Sequence, residues 1–262
     1  GTDGSYNTSS ATYVGWQWKA NGSGSSNEDG SINTTATSAN TTAGFSVSTY
    51  TGNATVGATV GHGLGIAPKV VIVKSRSGAS AESWIFGHDS VGWTKAMYMQ
   101  AITAPYTLDI YWNNTAPTSS VVELHDHAVT NGSSYTYVMY AFAEIPGYSS
   151  FGSYTGNGST DGPFVYTGFK PKWILFKSTS ASTRWYMLDT ARATAPGANV
   201  VNTQFFAELV NAQSAPDQGG DFLSNGFKVR TTGINVSGQT MTYMAFAENP
   251  FGGDGIAPAT AR

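Results

Sequence analysis

The sequence contains no cysteine, few charged residues and no long apolar run. The lack of cysteine excludes disulfide bonds, zinc–thiolate sites and cysteine nucleophiles. Charged residues make up 11 % of the 262 residues, about half the usual share in soluble proteins. The 13 lysines and arginines are scattered, so we expect no nucleic-acid partner. No apolar run approaches the roughly 20 residues of a membrane span, so we expect no membrane partner.

Small polar residues and aromatic residues take the place of the missing charges. Aromatic side chains reach 13 % and glycine occurs 31 times. Disordered chains usually combine few aromatic residues with high net charge, whereas the net charge here is −3. This composition favours many short strands with an apolar face, joined by polar turns, as in extracellular β proteins and virion appendages.

Four sequence blocks recur in the same order, each about 100 to 104 residues further along the chain. The pairs are residues 45–53 with 151–157, 67–75 with 170–178, 84–89 with 185–189, and 137–144 with 243–248. The match in order and spacing predicts one unit of about 100 residues that occurs twice.

Each unit carries short β-rich segments separated by turn residues, which predicts antiparallel strands. We expect strands at residues 45–51, 70–74, 84–86, 95–100, 120–124 and 135–142, and one helix at residues 200–212. The predicted fold is all-β: two tandem antiparallel β-sandwich repeats of the jelly-roll or lectin-like type. The predicted domains are an N-terminal strand and Ser/Thr/Asn-rich arm (1–44), repeat 1 (45–147), repeat 2 (148–250) and a C-terminal tail (251–262).

Several long motifs resemble one domain family. They lie at residues 13–20, 41–45, 61–69, 222–227 and 245–251, so the resemblance covers nearly the whole chain. The family is an uncharacterised one found in proteins of marine and other tailed bacteriophages, described as tail fibre or virion structural proteins. The resemblance implies a place on the surface of a virion and supplies no catalytic residues.

Paired carboxylates would be needed for glycan hydrolysis. Glu144 and Glu248 each close a long strand, but they are equivalent positions of two repeats, and Asp89 and Asp189 are aligned in the same way. Carboxylates that are duplicated with the scaffold favour a structural role, such as a strand-end charge paired with a lysine. We therefore expect a protein without catalytic residues, not an enzyme.

Cofactor and metal sites have little support in the sequence. His125 and His127 would lie on one face of a strand, but no third ligand is evident. The acidic loops 27–30 and 157–162 could hold Ca²⁺ through oxygen ligands, although neither matches a complete calcium loop. Ordinary Asx turns are the simpler interpretation of both loops, so we expect no cofactor.

The middle of repeat 1 has no close match in repeat 2 and is rich in aromatic and amide side chains. Loops on a repeated scaffold often carry binding sites. The candidate residues for contact with a glycan or a neighbouring subunit are Trp93, Tyr106, Tyr111, Trp112, Asn113 and Asn114. Burial in the core is the third interpretation, because a β protein this rich in aromatic residues buries most of its rings.

Residues 13–19 resemble the closing strand of each repeat. This segment could add to the sheet edge of a neighbouring subunit, through Tyr13, Val14, Trp16 and Trp18, or fold back onto repeat 1. We expect a virion-surface or extracellular structural protein that forms a homo-oligomer and contacts other virion proteins. The alternatives are a lectin-like receptor-binding module for cell-surface polysaccharide and a bacterial or archaeal filament subunit.

Overall fold

The recurring blocks form strands with the same neighbours in both halves of the chain. The structure is a computed structural model that describes residues 8–78, 83–193, 199–213, 219–248 and 250. Its strands pair antiparallel throughout the described residues. The predicted all-β class is thus confirmed.

Among the described residues, the first half contains nine strands and one short helix, Ala128–Asn131. The strands are β1 (Ala36–Asn40), β2 (Phe45–Thr51), β3 (Ala58–Gly61), β4 (Val70–Ser75), β5 (Trp84–His88), β6 (Lys95–Tyr98), β7 (Tyr106–Thr107), β8 (Val121–Leu124) and β9 (Thr136–Phe142). They form a large sheet in the order β1-β2-β9-β4-β5-β6-β7, and a small sheet of β3 and β8.

The described part of the second half also contains nine strands, with a short 3₁₀ helix, Thr190–Arg192. The strands are β10 (Ser149–Thr155), β11 (Phe164–Tyr166), β12 (Pro171–Ser178), β13 (Tyr186–Asp189), β14 (Val200–Val201), β15 (Gln204–Phe206), β16 (Gly220–Leu223), β17 (Gly226–Val229) and β18 (Thr240–Ala247). The large sheet has the order β10-β18-β12-β13-β15 and the small sheet the order β11-β17-β16-β14. The large sheet repeats the order β2-β9-β4-β5-β6 of the first half.

Equivalent hydrogen bonds support this correspondence at the level of single residues. The hydroxyl of Tyr50 donates to Thr130 O and the hydroxyl of Tyr154 donates to Ile234 O, both at 2.6 Å. Asn131 Oδ1 accepts from the Asn53 amide, and in the second half Asn235 Oδ1 accepts in the same way, both at 2.9 Å. Buried hydroxyl and amide groups therefore hold the same turns in the two halves.

Three apolar clusters account for most of the buried side chains. One lies between the two sheets of the first half, around Val60, Val73 and Trp112, and a second lies at the same place in the second half. The third joins the outer faces of the two large sheets and includes Phe86, Phe142, Trp173, Trp185 and Phe246. Alternate residues of the large sheets thus serve either the core of their own half or the contact between halves.

Two sequence expectations about local structure are wrong. Residues 200–212 contain no helix; Val200–Val201 and Gln204–Phe206 are strands that pair with β16 and β13. Residues 20–44, expected as a linker or arm, carry β1, which pairs with β2 along its full length. Small β-branched and hydroxyl residues fit this edge strand, because Thr37 and Ser38 fill its buried positions where apolar residues would otherwise mark it. The predicted tail, 251–262, lies outside the described residues.

Candidate functional site

The aromatic residues proposed for glycan contact are mainly core residues. Trp112 and Tyr111 expose at most 1 % of their surface and Trp93 exposes 6 %. Trp93 and Trp112 pack edge to face, with ring centroids 5.6 Å apart. Both rings lie close to Gly87 of β5, where an added Cβ would be 2.6 Å from Trp93. Contact of these three side chains with a glycan or subunit is therefore wrong, and their burial in the core is confirmed. Trp93 and Trp112 fill the space beneath a strand glycine, and Tyr111 is buried in the same cluster.

The remaining members of that set lie nearer the surface. Tyr106 is 40 % exposed and packs its ring against Tyr98, whose hydroxyl is hydrogen-bonded to Tyr111. Burial raises the pKa of Tyr111 above its usual value. Asn113 donates from Nδ2 to Glu123 at 2.5 Å and Asn114 is exposed. Tyr106 and Asn114 thus stay candidates, but the structure does not assemble the six residues into one site.

The N-terminal segment lies against both halves of its own chain. Residues 13–19 belong to no strand, so the predicted closing strand is wrong. Trp18 packs edge to face on Trp173 and Phe246, with centroids 5.4 and 5.3 Å away. Trp16 contacts Trp173 at a tilted angle and Phe205 edge to face. Side-chain packing, not main-chain pairing, therefore holds Trp16 and Trp18, while Tyr13 is 53 % exposed and Val14 is half-buried.

A cavity of about 300 Å³ opens beside this segment. Its apolar lining includes the side chains of Trp16, Trp18, Tyr148, Trp173 and Phe246. The indole N–H groups of Trp16 and Trp173 are buried and have no hydrogen-bond partner. Concave sites lined by apolar and aromatic side chains are the usual form of small-ligand sites. This cavity is the strongest candidate for a ligand site in the described residues.

The strand-end carboxylates are paired with lysines, which confirms their structural interpretation. Glu144 Oε1 lies 3.3 Å from Lys69 Nζ, and Glu144 Oε2 accepts from the Phe151 amide at 2.8 Å. Glu248 pairs with Lys170 at 3.3 Å and with Lys172 at 3.6 Å. Each carboxylate therefore ties strands within this scaffold and faces a cation instead of a second acid.

The alignment of Asp89 with Asp189 is wrong. Asp189 lies opposite Trp173 on β12, whereas the residue opposite the equivalent Val70 on β4 is His88. Asp189 is buried, accepts from Arg192 Nε at 2.7 Å and caps the 3₁₀ helix. Asp89 lies one residue beyond β5. The two aspartates thus occupy different positions, and only Asp189 is part of a buried ion pair.

Two buried basic residues were not anticipated from the sequence. His88 Nε2 donates to Tyr243 O at 3.1 Å, and Nδ1 accepts from the Ser90 amide at 3.1 Å, so the imidazole is neutral and links the two halves. Burial lowers the pKa of His88 to about 4. Lys177 Nζ donates to Ile102 O and Thr183 O, and burial lowers the pKa of this amine to about 8. The sequence gives only two indications of this burial: Lys177 lies in an otherwise apolar strand, and a glycine precedes His88.

The expected metal candidates form local hydrogen bonds. His127 caps the short helix through Nδ1, and His125 bonds to Asp126 at 2.5 Å. The loops 27–30 and 157–162 are Asx turns, in which Asn27 Oδ1 accepts from the Asp29 amide and Asn157 Oδ1 from the Ser159 amide. Within the ranges that the structure describes, no three potential ligand side chains gather around one point.

The chain belongs to DUF7483, a domain family of unknown function. The family model matches residues 1–250. Comparison with curated proteins and with solved structures gave no match. The family description names no virion and no activity, so function must be argued from the residues themselves. Among the described residues, no helix has the length and apolar character needed to cross a membrane.

Proposed function

We propose that the protein is a non-enzymatic structural component of a virion surface: a tail fibre, spike or decoration subunit. Its two halves are proposed to be β-sandwich repeats of the jelly-roll or lectin-like type, each with a large sheet facing a smaller one across a core. The observation that carries the proposal is the contact between halves. Phe142, Trp173 and Phe246 pack there with Trp18, so two units and an N-terminal segment share one interface.

The use of charge supports the same proposal. Glu144, Glu248, Asp189 and Glu208 all lie within 3.3 Å of a lysine or arginine nitrogen. A glycan hydrolase needs two carboxyl groups about 5 to 10 Å apart across a substrate groove. Carboxylates that are neutralised by cations and fixed between strands suit a scaffold better than acid–base catalysis.

Immunogold electron microscopy would test the location and therefore the role. Antibodies against the recombinant chain would be applied to the virions and cells whose genome encodes it. Gold on the tail, fibre or outer capsid supports the proposal. Gold on a cell-surface filament would instead favour the filament alternative, and gold confined to the cell interior would contradict both.

A lectin-like module for cell-surface polysaccharide is the second candidate. The cavity beside Trp16, Trp18 and Trp173 favours it, because sugar rings stack on aromatic faces. A glycan array followed by titration calorimetry would test this function. Binding that is lost in Trp18→Ala and kept in Tyr13→Ala supports it, whereas no binding to any glycan favours a purely structural role.

A further inference from the structure

One side of the first half is closed by the segment that precedes it. β1 extends the large sheet at β2, and Ile32 forms a parallel bridge to Val60 of β3. The outward main-chain groups of Thr59 are both occupied: its N–H donates to Ser31 Oγ and its C=O accepts from the Ile32 N–H, each at 2.9 Å. The edges of both sheets are thus covered on this side.

The equivalent side of the second half has no such cover among the described residues. β10 and β11 are the end strands of their sheets. Within β11, Val165 is the buried residue, as Val60 is in β3, so Phe164 corresponds to Thr59 and Tyr166 to Gly61. At β10, the carboxylate of Glu144 accepts a hydrogen bond from the Phe151 amide and so covers part of the strand edge. Among the residues that the structure describes, no carboxylate or strand takes the corresponding place at β11.

The main-chain groups of Phe164 and Tyr166 point away from their own sheet. Val229 N donates to Pro163 O and Thr167 N donates to Asn225 O, so residues 163 and 167 form hydrogen-bonded pairs with β17. Hydrogen-bonded pairs occur at every second residue of an antiparallel ladder, so the N–H and C=O groups of Val165 also point toward β17. Phe164 and Tyr166 therefore present N–H and C=O groups outward, and their side chains are 45 % and 60 % exposed.

We propose that β11 pairs with β11 of a second copy of this chain, antiparallel and with Val165 opposite Val165 of the partner. In that register Phe164 faces Tyr166 of the partner on both sides of the symmetry axis. Both are outward residues, so each facing pair exchanges two N–H···O bonds. The two small sheets become one continuous sheet. This inference rests on the proposed structural role and deepens it by naming the surface and the partner.

The side chains of β11 favour this partner over the segment that covers the first half. An added Cβ at Gly61 would lie 1.6 Å from Asn27 Oδ1, so that segment needs glycine there. The corresponding residue in β11 is Tyr166, whose ring would occupy the place of Asn27. The same ring suits self-pairing, because Phe164 and Tyr166 of two copies form two cross-strand aromatic pairs on one face.

Disulfide trapping tests the register, and the absence of native cysteine leaves no background. The variants are Phe164→Cys and Tyr166→Cys, each alone and mixed in equal amounts under mild oxidation. Facing residues of a hydrogen-bonded pair have Cα atoms about 5.5 Å apart, within disulfide range. Two copies of residue 164 would be roughly 9 Å apart, beyond that range. We expect covalent dimer in the mixture and little in either variant alone.

Sedimentation equilibrium of the full chain provides an independent measurement. Phe164→Lys should weaken dimerisation roughly tenfold or more, because it removes both aromatic pairs and places a charge on the edge. Val236→Lys is the matched control, because it places the same charge at another exposed apolar residue, and it should leave the dissociation constant unchanged. Urea unfolding confirms that each variant is folded.

Three results would overturn the pairing. Folded variants that form no covalent dimer in the mixture would show that the strands do not meet. Equal cross-linking in the mixture and in the single variants would refute the register. A dimer that tolerates Phe164→Lys as well as Val236→Lys would assign the contact to another surface. None of these results concerns the location of the protein, so a failure here is distinguishable from a failure of the immunogold test.

Discussion

The buried imidazole of His88 predicts that acid weakens the attachment of the two halves. His88 lies in β5 of the first half and donates to Tyr243 O in β18 of the second. Ser90 continues the contact, with its Oγ 2.9 Å from Thr242 Oγ1. Protonation of Nδ1 would remove the acceptor for the Ser90 amide and place a charge in an apolar interface.

The size of the effect follows from the pKa. Burial lowers the pKa of His88 from 6.5 to about 4. The hydrogen bond to Tyr243 O and the charge of Asp89 act in the opposite direction, and the charge of Lys69 adds to the effect of burial. The unfolded state therefore binds more protons between these values, so stability falls as pH decreases from about 6.5 to about 4. Each pH unit corresponds to about 1.4 kcal/mol, so full protonation costs about 3 kcal/mol.

Urea unfolding at intervals between pH 7.5 and 4, for the wild type and His88→Gln, measures this contribution. Glutamine keeps a donor for Tyr243 O but does not titrate, and we expect it to cost about 1 kcal/mol at neutral pH. His62 and His127 also have lowered pKa values and contribute to both proteins, so the difference between the two proteins isolates His88. A difference that stays constant across this pH range would refute the reasoning.

Three further predictions concern the scaffold, and each is measured by urea unfolding. Trp18→Ala should lose about 2 kcal/mol of unfolding free energy, because the ring packs on Trp173 and Phe246. Tyr13→Ala, at an exposed ring, should change the unfolding free energy by less than about 0.5 kcal/mol. Equal effects of the two variants would contradict the packing. Tyr50→Phe and Tyr154→Phe should each cost about 1 kcal/mol, and costs that differ severalfold would contradict the equivalence of the halves. Gly61→Ala should cost about 1 to 3 kcal/mol of unfolding free energy and expose residues 25–34 to protease, because the added Cβ would displace Asn27. Gly15→Ala is the control, since its Cβ meets open space. Protease resistance of Gly61→Ala would contradict the close packing of Asn27 on Gly61.

The repeated strands could be predicted from the sequence because their blocks keep both order and spacing. Residues 70–74 and 136–142 are strongly apolar and β-branched or aromatic, and both form strands at the centre of the large sheet. β1 was missed because an edge strand with one solvent-facing side needs little apolar content. The alignment of Asp89 with Asp189 failed because it matched two aspartates. His88 and Asp189 are the residues that lie equally far from Trp84 and Trp185 in the sequence.

The candidate site was harder to predict, because sequence does not show which aromatic rings are buried. Trp112 was a candidate contact residue, with burial in the core as an alternative, because its segment does not recur. Gly87 within β5 signals a close approach by a large side chain and so favours the core. Trp16 and Trp18 were assigned to a strand because their segment resembles one. Their partners, Trp173 and Phe246, come from the other half of the chain. The sequence does not show that β11 is an end strand without a neighbouring strand on one side among the described residues, because this follows from the order of the strands in the sheet.

The most direct test of the account is a cryo-electron microscopy structure of the native particle that contains this chain. The account predicts copies of the chain at the particle surface, in contact with one another, with β11 of one copy continued by β11 of its neighbour. An isolated copy whose β11 edge faces solvent, or a chain absent from any surface assembly, would contradict it.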